Sequence, residues 1–165
     1  MWSPGRATAG TDMATTASLA IPRPALLLGF AGLLPPLTAL WAMMMLDDPA
    51  SSEAMFTAIF AYTTLIFSFI GGVWWGFSSA DGRRPGWADL TLAVFPSLAA
   101  FLTLPLVAQT GPDGAVLLAL LVLVSPVIDL RFRRRGLAPT WWMRLRMPLS
   151  IGLSTLLGAA VWLVR

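Results

Sequence analysis

The sequence predicts an all-α protein, a polytopic membrane helix bundle with five transmembrane helices. Of the 165 residues, 57% are hydrophobic and only 12% are charged, and the mean hydropathy of +0.76 exceeds that of ordinary soluble domains. The charged residues are gathered in short clusters between long uncharged runs. Each run approaches the roughly 20 residues that a helix needs to cross a hydrocarbon core about 30 Å thick.

The apolar runs define the elements in chain order. The predicted spans cover about residues 24–46, 54–80, 87–108, 114–130 and 147–164. The fourth span is the shortest, and the loop QTGPDG before it is typical of a tight turn between antiparallel helices. Residues 22–165 therefore form a single transmembrane domain. Residues 1–21 are small and polar without periodicity, and we expect them to be a disordered tail.

The arginines predict the orientation. With five spans, the tail and the loops after the second and fourth spans share one side, which holds ten of the eleven arginines. These ten are Arg6, Arg23, Arg83, Arg84, Arg131, Arg133, Arg134, Arg135, Arg144 and Arg146. The other side holds Arg165 and the acids Asp47, Asp48, Glu53 and Asp113. Because cytoplasmic loops carry the excess of positive charge, we expect a cytoplasmic N-terminus and an outside C-terminus. The favoured location is the cell inner membrane, ahead of the mitochondrial inner membrane.

Prolines interrupt two of the predicted spans. Pro35 and Pro36 lie within the first and Pro96 lies near the middle of the third. A proline has no N–H and disturbs the carbonyl four residues earlier, so these residues predict helix kinks. Such kinks either improve packing or expose carbonyls along a path for a solute, and packing is the favoured interpretation.

Small residues recur at every fourth position in two spans, a spacing that lets another helix approach closely. The second span has Thr64, Ser68, Gly72, Gly76 and Ala80, with Gly71 beside them, and the last span has Ser150, Ser154 and Gly158. We therefore expect helix packing at these residues. The neighbour of the Gly72 and Gly76 face is either the last span, another membrane protein or a second copy of this chain.

Aromatic and basic residues flank the spans and predict contacts with the bilayer interface. The expected interface anchors are Trp74, Trp75, Trp141, Trp142, Arg144 and Arg146, and the expected headgroup ligands are Arg131, Arg133, Arg134 and Arg135. Clustered arginines with interleaved aromatic rings also occur in nucleic-acid sites, but juxtamembrane placement favours lipid, and no nucleic-acid partner is expected. Asp129, at the end of the fourth span, is either locally paired with Arg131 or Arg133 or part of a proton relay, and the local pair is the favoured interpretation.

The absence of three residue types narrows the chemistry. The sequence has no His, Cys or Lys, which removes thiolate and imidazole catalysis, the usual zinc sites and Schiff-base formation. No two carboxylates share one helical face within a span. We therefore expect no enzyme, no cofactor and no metal site. The favoured function is an accessory or assembly component that acts through helix contacts, and the alternative is a small-solute transporter or channel.

Three motifs together resemble a known family. GFAGLLPPL, SFIGGVWWG and WWMRLRMPLS are similar to motifs of the membrane family called domain of unknown function 3429, over about residues 22–164. The resemblance implies a compact multi-span protein with no assigned activity, with bacterial members and a mitochondrial relative. It also implies a histidine where this chain has Trp74, so no role that needs an imidazole carries over. The matching positions, none of them known to be catalytic, are Gly71, Gly72, Trp75, Gly76, Arg144 and Arg146.

Overall fold

The computed structural model describes residues 20–45, 48–80 and 84–165. Most of the predicted tail lies outside the described residues, as do Asp47 and Arg83. The described chain forms seven α-helices and contains no strand. They are α1 (Arg23–Ala31), α2 (Leu34–Met45), α3 (Pro49–Ser79), α4 (Trp87–Thr110), α5 (Ala115–Val124), α6 (Pro126–Arg134) and α7 (Trp142–Leu163).

Four helical segments of the described chain are long and apolar enough to cross a membrane. They are Arg23–Met45, Pro49–Ser79, Trp87–Arg134 and Trp142–Leu163. Large apolar side chains such as Leu28, Phe69 and Trp162 project outward, as expected for a surface that faces lipid. The predicted class of an all-helical, multi-pass membrane protein is thereby confirmed.

The third of these segments folds back on itself. It is 48 residues long, and a straight helix of that length would extend about 70 Å. Its ends nevertheless meet, because Asp89 in the first turn of α4 forms an ion pair with Arg135 just after α6. The chain reverses in a 3₁₀ turn at Gly111–Gly114, where Gly111 has a φ of 66°. A Cβ on Gly114 would lie 2.7 Å from the backbone nitrogen of Val107, so this close approach requires glycine.

Two helix breaks coincide with prolines. In each, a hydroxyl group donates a hydrogen bond to the backbone carbonyl four residues before the proline. Helices α1 and α2 are separated at Gly32, four residues before Pro36, and the Tyr62 hydroxyl donates to the Gly32 carbonyl at 2.6 Å. Helices α5 and α6 are separated at Ser125, and its hydroxyl donates to the Val122 carbonyl, four residues before Pro126, at 2.7 Å. These bonds replace the one that each proline cannot donate. Pro96, in contrast, lies inside the continuous helix α4.

The bundle packs around α3 and α7. Helix α3 contacts α2, α4 and α7, while α7 also contacts α2 and α5. The largest fully buried side chains lie on these helices and on α5 and α6, and they are Trp74, Phe67, Phe132, Ile59, Leu118 and Leu157.

Helix α3 approaches α4 at Gly71. A Cβ on Gly71 would lie 2.3 Å from the carbonyl oxygen of Ala93, whereas a Cβ on Gly72, Gly76 or Gly158 would meet nothing within 4 Å. Of the three neighbours left open for the Gly72 and Gly76 face, the last span is not the one observed, because both residues are exposed and a Cβ on either would meet no other residue. Contact with another protein or a second copy stays a prediction.

Of the other small residues, Ala80 is exposed, Ser68 is half-buried and Ser154 is buried.

The contrast between adjacent glycines predicts the effect of adding one methyl group. We expect Gly71→Ala to lower the free energy of unfolding by about 1–3 kcal/mol, because the backbone of α4 must move away from the new Cβ. The matched control, Gly72→Ala, should unfold like the wild type. Denaturant titration of the purified protein in detergent measures both, and equal effects would contradict the assignment of Gly71 to the α3 and α4 contact.

Candidate functional site

A fully buried carboxylate, Asp129, lies at the centre of the most extensive polar cluster in the described chain. It sits in the first turn of α6, directly after the break at Ser125, and its exposed fraction is 0%. The indole Nε1 groups of Trp74 and Trp142 donate to its Oδ1 atom at 2.8 Å and 2.7 Å. The Nε group of Arg146 donates to its Oδ2 atom at 3.1 Å. Both carboxylate oxygens are therefore satisfied.

The Arg146 guanidinium is buried as well and extends the cluster to two serines. Its exposed fraction is 5%. Its Nη2 atom donates to the Ser125 hydroxyl at 2.6 Å, and its Nη1 atom donates to the Ser150 hydroxyl. All three nitrogen atoms of the guanidinium thus have a partner. We call Trp74, Ser125, Asp129, Trp142, Arg146 and Ser150 the Asp129 network.

The network connects three parts of the fold. Trp74 comes from α3, Ser125 and Asp129 come from the junction of α5 and α6, and the remaining members come from α7. An isolated charge in a low-dielectric interior is costly, whereas a paired and hydrogen-bonded one is tolerated. The negative and positive charges of this pair compensate each other only when α6 and α7 are in contact. The network therefore favours one arrangement of these helices.

Aromatic rings enclose the carboxylate. Trp74 stacks on Phe132 with ring centroids 6.3 Å apart, and Phe77 packs against Phe132 at 6.1 Å. Phe77 also meets Trp142 edge to face at 5.4 Å, a favoured geometry for aromatic pairs. These rings exclude water from the indole and carboxylate bonds, which strengthens those bonds.

A second charge cluster lies near the end of the bundle where α4 begins. Asp89 is buried and contacts Arg135 and, at 3.8 Å, Arg131. The hydrogen bond from Arg135 to Asp89 raises the pKa of that guanidinium, so Arg135 stays charged. At the opposite end, Arg165 donates to Asp113 at 2.6 Å in an exposed pair. These two charge clusters thus mark the two ends of the bundle.

Two residues predicted to be interface anchors lie elsewhere. Trp74 and Arg146 are buried in the Asp129 network, so their expected contact with the interface is wrong. The expected pairing of Asp129 with Arg131 or Arg133 is also wrong, because its cationic partner is Arg146.

The other predicted interface residues remain at the surface. Trp75 and Arg144 are exposed, and Trp141 and Trp142 are half-buried. The predicted headgroup ligands Arg131, Arg133, Arg134 and Arg135 are all exposed, although two of them also contact Asp89. Their contact with lipid stays a prediction.

The network acts as a structural connector in this arrangement. Its carboxylate has donors on both oxygens, and its guanidinium points at partners within the bundle. Among residues 20–45, 48–80 and 84–165, no three acidic side chains are grouped closely enough to hold a metal ion.

The apolar helices and the buried ion pair define a polytopic helical membrane protein. The chain belongs to the family described as "Protein of unknown function (DUF3429)", whose model matches residues 21–162, a range that includes every member of the Asp129 network. The family resemblance of the sequence motifs is thereby confirmed. The chain is 34% identical over 134 residues to Transmembrane protein 69 of Xenopus tropicalis, an alignment that covers 79% of this chain and 50% of that protein. It thus spans half the length of that relative. No solved structure matches.

The buried and exposed ion pairs predict losses of stability of different size when one partner is removed. We expect Asp129→Ala to lower the free energy of unfolding by about 3–5 kcal/mol, because it leaves Arg146 charged and buried without its counterion. The control Asp113→Ala removes the exposed partner of Arg165 and should cost about 1 kcal/mol or less. Denaturant titration in detergent measures the difference, and similar losses for the two variants would show that the Asp129 pair is not a main stabilising contact.

Proposed function

We propose that this protein is a non-enzymatic accessory or assembly component of another membrane complex, with five spans in the cell inner membrane. In this proposal it acts through the exposed face of α3 that contains Gly72 and Gly76. The five spans are α1 with α2, then α3, α4, α5 with α6, and α7. The N-terminus is cytoplasmic and the C-terminus is outside.

The reversal at Gly111–Gly114 supports the count of five. It divides the longest apolar segment into α4, with 24 residues, and Ala115–Arg134, which contains α5 and α6. Each part extends about 30 Å or more, the thickness of the hydrocarbon core. The orientation is supported by Arg131 and Arg135 at the end of the bundle opposite Asp113.

One observation carries the proposed mode of action: the small-residue face of α3 is left open by the described chain. A methyl group added to Gly72 or Gly76 would have no neighbour within 4 Å, while Leu65 and Phe69 beside them are each 68% exposed. A notch between large apolar side chains suits the close approach of a transmembrane helix. The occupant we propose is a helix of a different membrane protein.

A transporter is the second candidate, favoured by an open pocket of about 860 Å³ at the end that carries Asp113 and Arg165. Its lining includes Met43, Asp48, Glu53, Phe56, Val107 and Arg165. Hydrogen bonds from the Ser51 hydroxyl and backbone N–H lower the pKa of Asp48, which therefore supplies a fixed negative charge. The residues that line the pocket do not include Tyr62 or the prolines of the first and third predicted spans. We therefore rank transport below partner association.

The orientation predicts the behaviour of reporter fusions. A reporter that is active only outside the cytoplasm should be active after Arg165 and inactive within Arg131 to Arg135. The matched control is a reporter active only in the cytoplasm, which should give the reverse pattern at both positions. Export-dependent activity between Arg131 and Arg135 would place this loop outside and would contradict either the span count or the orientation.

Because the Gly72 and Gly76 face is open, substitutions there should affect association with a partner but not folding. We expect Gly72→Leu and Gly76→Leu to leave the thermal stability of the purified protein unchanged and to reduce co-purification of its membrane partner in mild detergent. Gly158→Leu is the matched control, because it adds the same side chain to an exposed helical glycine of α7. Normal association of both α3 variants, together with loss of a measurable solute flux, would instead favour transport.

A further inference from the structure

The hydroxyl of Ser154 is the one buried side-chain polar group of the described chain that has no hydrogen-bond partner. Ser154 lies on α7 and its exposed fraction is 8%. A hydroxyl in an apolar interior costs free energy when it is unpaired, and a native structure nearly always supplies a partner or an ordered water.

Other buried hydroxyl groups show how a helix normally meets this need. Thr63 donates to the Ile59 carbonyl, Ser78 donates to the Trp74 carbonyl and Thr103 donates to the Ala100 carbonyl. Each of these bonds returns to the residue's own helix, three or four positions earlier. Ser154 forms no such bond, and among the described residues its hydroxyl has no other partner.

Ser150, one helical turn before Ser154, has a complementary need. Its oxygen accepts a hydrogen bond from Arg146, and within the described chain its own proton has no acceptor. Side chains four residues apart on a helix have Cβ atoms about 5–6 Å apart. One water molecule spans such a gap with two hydrogen bonds of about 2.8 Å each. Both serines are buried, so a water between them would be shielded from the surface and would have polar partners, as a buried water requires.

We infer that a water molecule is bound between Ser150 and Ser154 and extends the Asp129 network by one turn of α7. The Ser150 and Ser154 hydroxyl groups both donate to the oxygen of this water, and the water donates its own protons to backbone carbonyl oxygens of α7, each of which has a second lone pair. This arrangement holds the Ser150 oxygen toward Arg146 and gives the Ser154 hydroxyl its missing partner. Ser154 lies about 18 Å along the axis of α7 from Trp142, which places the water near the middle of the span.

The test uses the full chain in lipid bilayers with deuterated acyl chains. Solid-state NMR with magnetisation transfer from water should give a signal at Ser150 and Ser154 well above that at Leu153 and Leu157, two buried apolar residues of the same helix. In Ser154→Ala, the transfer to Ser150 should be lost and the resonance of the Arg146 Nη1 atom should shift.

Thr155→Ala is the matched control, because it removes the exposed hydroxyl next to Ser154. It should leave the signals of Ser150 and Arg146 unchanged. The inference is overturned if transfer at Ser154 in the unaltered protein is no greater than at Leu157, which would indicate that the hydroxyl returns to its own helix. It is also overturned if Ser154→Ala leaves the transfer to Ser150 intact, since the water would then be held by other groups.

Discussion

The ion pair between Asp129 and Arg146 sets the arrangement on which the rest of the bundle depends. Both charges are buried, so neither side chain is stable at its depth without the other. The pair joins α6 to α7, and Trp74 joins both to α3 through the same carboxylate. Apolar packing alone distinguishes poorly among helix arrangements in lipid, because lipid tails are as apolar as leucine. A buried charge needs hydrogen-bond donors in specific positions, so it favours one helix arrangement over the others, which apolar contacts alone do poorly.

The sequence alone was sufficient to predict the class of the protein and most of its helical segments. Both predictions use the hydropathy and charge of consecutive residues, which the sequence gives directly. It was insufficient to predict the site, because the burial of a side chain and the face of the helix on which it packs depend on neighbours that are distant in sequence. Trp74 and Trp75 show the difference: they are adjacent and chemically identical, yet one is fully buried and the other is 48% exposed. One signal did point to the network, namely an acid at the end of one apolar run and an arginine at the start of the next.

The glycines of α3 also show what residue spacing alone cannot predict. Their spacing identified a helix surface with little bulk, but it did not identify which of the neighbouring positions meets another helix. Helix geometry separates consecutive residues by about 100°, so Gly71 faces α4 while Gly72 faces away. The glycine motif of α3 therefore includes residues of two different helix surfaces. One surface packs inside the bundle, and the other is exposed. Only the packed structure assigns each glycine to its surface.

The order of synthesis gives the buried pair a further consequence. Asp129 precedes Arg146 by 17 residues, so its helix emerges from the ribosome before its counterion does. During that interval the carboxylate needs water or lipid headgroups as its partners. Insertion of α7 then brings the guanidinium and the Trp142 indole to the carboxylate together. Helix α7 therefore supplies the counterion, and a chain truncated before it would leave the buried acid without its cationic partner.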